Sequence, residues 1–234
     1  IKKRKIPLVL LNARITRKTF LKWNLISRVA EKIFQSFKLC LPASNESKKY
    51  LEEFKVKNIK YFGNLKLASE DKLNGSNDKN KKFLSNNKFW CALSTHKEED
   101  IFCLKTHLKI RDTHKNVLTV IIPRHIDRVQ KIMASCKQLN LTCQILSNND
   151  PIKNDKEIII INSYGVTSFY LNLCKSVFIG KSMIKRLKND SGQNPIDAAY
   201  LNCKVYHGPY VSNFHEIYEI LKNNNTSYQI KDFK

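Results

Sequence analysis

Short, continuous apolar runs rich in β-branched residues recur along the chain, and they constrain its fold more than any other feature of the sequence. They are IPLVLLNA (6–13), FKLCLPAS (37–44), IKYFGN (59–64), FWCALST (89–95), VLTVIIP (117–123), TCQILS (142–147), EIIIIN (157–162), SVFIGK (176–181) and KVYHGP (204–209). A strand with one wet face alternates apolar and polar residues. Runs without alternation suit strands buried on both faces of a parallel sheet. Helical stretches lie between most of them. EEDIFCLKTHLKIRD places Ile101, Leu104, Leu108 and Ile110 in one apolar stripe. HIDRVQKIMASCKQLN does so with Val129, Ile132, Met133, Cys136 and Leu139, and SNFHEIYEILKNN with Phe214, Ile217 and Leu221. Strands alternating with helices predict βαβ units and a doubly wound α/β fold.

One segment breaks the rhythm. LASEDKLNGSNDKNKKFLSNNK (67–88) is rich in Lys, Asn, Ser and Asp, has little periodicity and reads as a linker. About three strands precede it, too few for a whole domain of this type. A nearly complete Rossmann-like unit follows. The expected organisation is the tail of one α/β domain over 1–66, a linker over 67–88 and a second α/β domain over 89–234. Two such domains facing each other predict a cleft at the carboxyl ends of their strands. The chain opens with IKKRKIPLVLLNAR, runs almost at once into a strand, and reads as a piece of a longer protein.

Forty-two Lys and Arg against 20 Asp and Glu give a formal charge of +22, which favours anionic partners: nucleic acid, a phospholipid surface, or phosphorylated and acidic small molecules. Lys and Asn are abundant everywhere, so compositional bias is an equal explanation. Hydrophobic residues make up 42% of the chain, which is enough for a packed core and excludes global disorder. The seven cysteines (40, 91, 103, 136, 143, 174 and 203) form no C-x-x-C pair and fall mostly in apolar runs, as buried, reduced thiols do. The six histidines show no metal-binding spacing, so neither a metal nor any other cofactor is expected. No apolar run reaches the roughly 18 residues that span a bilayer.

Polar clusters follow the strands where ligands bind in open α/β sheets: STH (94–96), PRH (123–125), GKS (180–182) and GPYVSNF (208–214). Arg124 stands at a strand end, where its guanidinium fork either takes a phosphate bidentately or caps an exposed loop. His96 and His125 read as loop residues before they read as catalysts. In SGQNPIDAAY (191–200), Asn194 suits an N-cap, Pro195 the first helical position and Asp197 the third. That resembles a capping box, and the helix start offers N–H groups to a phosphate or ribose. A well-capped helix by itself accounts for these residues equally well. GKS lacks the upstream glycine of a phosphate-binding P-loop, since position 175 is Lys, and an ATPase loop is excluded.

Read in order, LLNARIT, LPASNESKKYL, GNLK, STHKEED, IIPRHIDR, SYGVTSFYLNLCKSVFIGKS, GQNPIDAA and HGPYVSNFHEI together resemble 3-deoxy-D-manno-octulosonic acid (Kdo) transferases. The resemblance covers essentially the whole chain. It implies a GT-B fold, here a partial N-terminal Rossmann-like domain and a nearly complete C-terminal one that holds the donor. It implies transfer of Kdo from CMP-Kdo to a lipid A precursor in lipopolysaccharide core synthesis, with inversion and without a metal. The family's CMP-binding PR pair corresponds to Pro123 and Arg124, its MGE stretch to Tyr164, Gly165 and Val166, and its NPLE stretch to Asn194, Pro195, Ile196 and Asp197. The lysine of its G-[NS]-L-K motif, which supports the transition state, corresponds to Lys66. Lys66 and Arg124 would offset charge on the departing phosphate, and Asp197 would accept from ribose hydroxyls.

The chain departs from the family at Gln193, where a His is usual, at Asp197 for Glu, and at Val166 for the Glu of MGE. The loop MIKRLKNDSGQ is longer than usual. The family's general base, a Glu in a Gly-rich loop, would precede Ile1, so the chain by itself is expected to fold at best partly and to be inactive. The implied location is the cytoplasmic face of the bacterial inner membrane, peripheral or anchored through a segment before Ile1, with basic patches on anionic lipid. Two alternatives stand beside this reading: a basic nucleic-acid-binding α/β module, and a GT-B enzyme using another nucleotide sugar. Against the first, the aromatic residues sit within apolar runs rather than among the basic ones, no nucleic-acid motif is present, and no nucleic-acid partner is expected.

Overall fold

The computed structural model describes residues 6–63, 78–147 and 150–232. The chain divides into two compact units, Ile1–Glu70 and Asp71–Lys234.

In the first unit two parallel strands, β1 (Val9–Ala13) and β2 (Leu39–Pro42), pair through Val9–Leu39 and Leu10–Cys40. Helices α1 (Arg17–Asn24) and α2 (Ser27–Phe34) connect them, and α3 (Asn45–Glu53) follows. The starts of α1 and α3 are capped by side chains: the Thr16 hydroxyl accepts from Thr19 N and that of Ser44 from Ser47 N. Ala30, Phe34, Cys40, Leu51 and Phe54 form the core. Aromatic rings dominate it, with Phe34 stacked on Phe54 at 5.2 Å and Phe20 on Tyr50 at 4.3 Å. The strand expected over 59–64 does not form over 59–63, the part of it that is described. Ile59 makes a single parallel bridge to Cys40 and Phe62 is exposed. Beyond that bridge, which includes Lys60 N donating to Cys40 O at 3.0 Å, no ladder continues among the described residues, so they contain two strands here rather than three.

The second unit is built on a seven-stranded, wholly parallel sheet in the order β5-β6-β4-β3-β7-β8-β9. Its strands are β3 (Phe89–Thr95), β4 (Leu118–Pro123), β5 (Cys143–Leu146), β6 (Ile158–Ile161), β7 (Ser176–Ile179), β8 (Lys204–His207) and β9 (Ser227–Gln229). Every residue of β4 and β6 is buried, as their unbroken apolar runs require. Helices α5 (Glu99–Thr113) and α6 (Val129–Gln138) cover one face, packing Cys103, Leu104, Val129, Ile132 and Cys136 against Ala92, Ile121, Ile158 and Phe178. On the other face α4 (Asp78–Ser85), α7 (Thr167–Leu173), α8 (Ile196–Tyr200) and α9 (His215–Asn223) contribute Leu84, Tyr170, Leu171, Ala198 and Tyr218.

Three expectations change. Residues 78–85 of the segment read as a linker form α4, whose Leu84 enters the core. The Asn80 side chain there pairs with backbone as a strand would, donating to Asp150 O at 2.8 Å and accepting from Ile152 N at 2.9 Å. In α5 Leu104 of the expected stripe is buried and Leu108 and Ile110 pack against the core, but the fully buried face also takes in Glu99, Asp100, Cys103 and His107, because the helix turns two acidic side chains and a histidine inward. In α9 the buried residue is Tyr218, whose hydroxyl reaches Gln193 O at 3.1 Å, so the partly buried Phe214, Ile217 and Leu221 flank the contact. All seven cysteines are free thiols, six of them buried and Cys143 half-buried.

Candidate functional site

The chain leaves β3 through α5 to β4 on one side and later crosses from β6 through α7 to β7 on the other. Between neighbouring β3 and β7 the connections therefore diverge, and open α/β sheets bind ligands at such a point beyond the carboxyl ends of the strands. Here the point is already filled. Glu99, 1% exposed in the first turn of α5, accepts from the backbone N–H groups of Lys181 at 2.7 Å, Ser182 at 2.8 Å and Met183 at 3.0 Å. Its Oε2 also accepts from His96 N at 3.0 Å. Successive backbone N–H groups that converge in this way form an anion nest, and its anion is the protein's own carboxylate. Lys181, just after β7, and Ser94, near the end of β3, adopt left-handed φ values of 59° and 55°.

The glycines just after β7 and β8 serve close contact. A Cβ on Gly180 would lie 2.4 Å from Ser94 O, and one on Gly208 2.2 Å from Ser182 O, so only glycine lets these backbones approach. Ser182 of GKS is fully buried and satisfied, donating to Ile179 O at 2.6 Å and accepting from Gly208 N at 2.9 Å. The Lys181 ammonium pairs with Asp190 at 3.3 Å.

Beside this closed part lies an open one. Pro123 ends β4 and is buried, whereas Arg124 and His125 are exposed, with Arg124 N donating to Thr95 O at 3.1 Å. The His96 and His125 rings meet edge to face at 6.0 Å. His96 Nδ1 lies 3.1 Å from Ser94 O; a carbonyl only accepts, so Nδ1 carries the proton in the neutral ring and Nε2 keeps its lone pair. Burial lowers the His96 pKa, opposed by the Ser94 carbonyl and Glu99 and assisted by Lys181 and His125. Four residues past Arg124, Arg128 turns inward, donating to Thr95 O at 2.9 Å and to the buried carboxylate of Asp100. Burial raises the Asp100 pKa, and the Arg128 guanidinium works against it.

The loop after β6 carries Tyr164, which is 67% exposed, and Gly165, at φ 78° with open space around it. Val166 is half-buried and packs against the core, and its side chain has no polar atom, so a hydrogen bond from it to a ligand would come from its backbone. In the opening of α8, Asn194 Oδ1 accepts from Ile196 N at 3.1 Å. The helix starts at Ile196, with Pro195 at the cap position, one residue later than the sequence pattern places it. Being five residues long, with an N–H already taken by Asn194, it is a weaker phosphate receptor than a long helix. Pro195 and Ile196 are buried, while Asn194 and Asp197 are half-buried. Lys66 lies outside the described residues. Among the described residues no group of three or more His, Cys, Asp or Glu is placed to hold a metal ion. No helix among them is long and apolar enough to cross a membrane. A cleft of about 670 Å³, lined in part by Lys79, Lys82, Lys115 and Lys156, opens at the opposite end of the sheet, before β3, β4 and β6.

Sequence reading finds the open residues and misses Glu99 and Arg128. A signal for Glu99 existed: Glu three residues after His96 at a helix start is the reaching-back half of a capping box. Its other partners are more than 80 residues away and leave no local trace.

A protein-family model described as 3-deoxy-D-manno-octulosonic-acid transferase (kdotransferase) matches residues 1–69. The 3-deoxy-D-manno-octulosonic acid transferase of Rickettsia prowazekii is 28% identical over 231 residues, 97% of this chain and 49% of that protein. The enzyme of the same name from Haemophilus influenzae is 25% identical over 93% of this chain and 51% of its own. The chain thus spans about half the length of the curated relatives it matches. Among solved structures, the C-terminal CMP-Kdo binding domain of WaaA from Acinetobacter baumannii superposes with a TM-score of 0.59 at 22% identity, over 65% of this chain and 78% of that one. Anabaena HepE in complex with UDP and glucose gives 0.54 at 13% identity, over 100% and 60%. These likenesses agree with the α/β, parallel-sheet architecture of the GT-B C-terminal domain.

Proposed function

We propose, from this chain's place in the Kdo transferase family, that its second unit holds the CMP portion of CMP-Kdo and that the protein transfers Kdo to a lipid A precursor. The observation that carries this reading is the placement of Arg124. Its side chain is exposed at the carboxyl end of β4, next to the switch point, while its backbone is anchored to Thr95 O. A guanidinium so placed meets a phosphate with two parallel N–H groups. Tyr164 and the backbone of Gly165 and Val166 offer a second contact, and Asn194 and Asp197 the ribose contact, with Pro195 and Ile196 setting the backbone between them.

In the reaction, a hydroxyl of the acceptor attacks the anomeric carbon of Kdo, inverting it. The bond from that carbon to the CMP phosphate breaks, and CMP leaves with the electron pair. The hydroxyl proton passes to a base outside the residues assigned here. Arg124 stabilises the charge gathering on the phosphate, and Lys66 serves the same end. Neither step draws on a metal ion. Donor and acceptor are both anionic, and the surplus of lysine and arginine suits work at the anionic cytoplasmic face of the inner membrane.

Calorimetry with CMP tests the reading. The intact protein is expected to bind CMP in preference to UDP and GDP. Arg124→Ala is expected to lose roughly ten- to a hundredfold in affinity, as befits a hydrogen-bonded charge. Failure to bind CMP, together with DNA binding that weakens steeply with salt, would overturn it.

A further inference from the structure

We infer that Glu99 is a positioning residue of the donor site, acting as a resident anion from which the Asn194–Asp197 segment is held. The inference rests on the reading of that segment as part of the CMP site. The carboxylate fixes the N–H groups of Lys181, Ser182 and Met183. From two of these residues, Lys181 and Ser182, a second row of bonds runs outward. Lys181 O accepts from Gly192 N at 2.6 Å and Ser182 O from Tyr210 N at 3.0 Å, while Ser182 Oγ accepts from Gly208 N at 2.9 Å. Ser191, next to Gly192, is tied to Ser212 through both its N–H and its hydroxyl, and Asn213 N donates to Ser191 O at 2.9 Å. The stretch entering Gln193 and Asn194 is therefore tied to Lys181 as well as to Ser212, Asn213 and Tyr218, and Lys181 in turn is held by Glu99. The fourth bond, from His96 N, fixes the loop after β3 in the same frame. The nest of N–H groups at the switch point is thereby closed to the donor, and phosphate recognition passes to side chains such as Arg124.

A carboxylate is required there. Gln in the same position would turn an NH2 group toward donors, leaving buried N–H groups unpaired. Ala would leave an empty nest that a small carboxylate fits. The test compares the intact wild-type protein with Glu99→Ala and Glu99→Gln, each with and without formate. Two quantities are read: hydrogen exchange of the Lys181–Met183 amides, and CMP affinity. In the wild type the amides are expected to be protected and indifferent to formate. In Glu99→Ala they are expected to lose protection and CMP affinity to fall about tenfold or more, with formate restoring both. Glu99→Gln is expected to lose both without rescue, which separates an anion requirement from lost packing. If Glu99→Ala does not fold, Glu99→Gln alone decides: wild-type protection and affinity in it overturn the inference. Unchanged CMP affinity in Glu99→Ala, or losses that formate leaves untouched, overturn it as well. Should the wild type itself not bind CMP, the functional reading falls, while the exchange data still decide whether Glu99 fills the nest.

Discussion

Arg124 and Arg128 lie one helical turn apart in sequence and do opposite things. Arg128 points inward, with its guanidinium divided between Thr95 O and the Asp100 carboxylate. Arg124 points outward, with only its backbone held, by that same Thr95 O. The carboxyl edge of the sheet shows the same division throughout. The segments after β3, β7 and β8 spend their polar groups on one another, through Glu99, Ser182 and the contact glycines Gly180 and Gly208. The loops after β4 and β6 leave Arg124, His125 and Tyr164 facing outward. The first set fixes geometry and the second is available for recognition, so a polar residue at a strand end does not by itself mark a ligand contact.

The largest effect that tests this division is Arg128→Ala. It strands a buried carboxylate and should cost about 3–5 kcal/mol, read from urea unfolding. Arg124→Ala should stay within about 0.5 kcal/mol in the same assay. Equal losses from both would erase the contrast.

Next come the glycines. Gly180→Ala forces a methyl against Ser94 O and should cost roughly 1–3 kcal/mol. Gly165→Ala meets open space and should cost only the backbone strain of its positive φ, about 1–2 kcal/mol. A reversed order of their unfolding midpoints would count against the close contact.

Acidity gives a smaller, graded effect. Burial lowers the pKa of His107, against the pull of Glu157, and likewise that of His207, whose Nδ1 meets Gly208 O at 2.7 Å. The unfolded chain therefore takes up these protons first. Stability is full above the ordinary histidine value of about 6.5 and falls as pH drops below it toward the folded-state values. Urea midpoints measured from pH 7.5 down to 5.5 should decline, and His107→Gln should flatten the decline; a slope unchanged in that variant would exonerate His107. Smallest is the Arg186–Glu98 pair, 2.9 Å apart with both side chains exposed. A double-mutant cycle there should give no more than about 1 kcal/mol and shrink further with salt.

The sheet was legible in the sequence where strands are buried on both faces, because burial leaves an unbroken apolar run, as in VLTVIIP and EIIIIN. It was not legible at the margins. The edge strand β9 is three residues long, with Tyr228 and Gln229 exposed, and carries no such run. The IKYFGN run is apolar enough, yet among its described residues only Ile59 forms a bridge to a strand. Helix α4 hides in a Lys- and Asn-rich stretch because a few side chains, Leu84 and Asn80 chief among them, anchor it. In the site, Arg124, Tyr164 and Asn194 could be picked out by type and place after a strand. Gly180 and Gly208 could be seen but not interpreted, since their use depends on a backbone distant in sequence. Glu99 was passed over because Lys181, Ser182 and Met183 are brought to it only by the pairing of β3 with β7.

The Glu99 bonds also bear on the order in which the molecule comes together. They join positions 82 to 84 residues apart. Closing so long a loop for the sake of a few hydrogen bonds returns too little against its entropy, so those bonds form only once the central strands have met. A group that is native-like only after the rate-limiting step leaves the folding rate alone when altered and quickens unfolding instead. Glu99→Ala is therefore expected to speed unfolding more than it slows folding, so that Glu99 would guard the lifetime of the folded state more than the speed of reaching it.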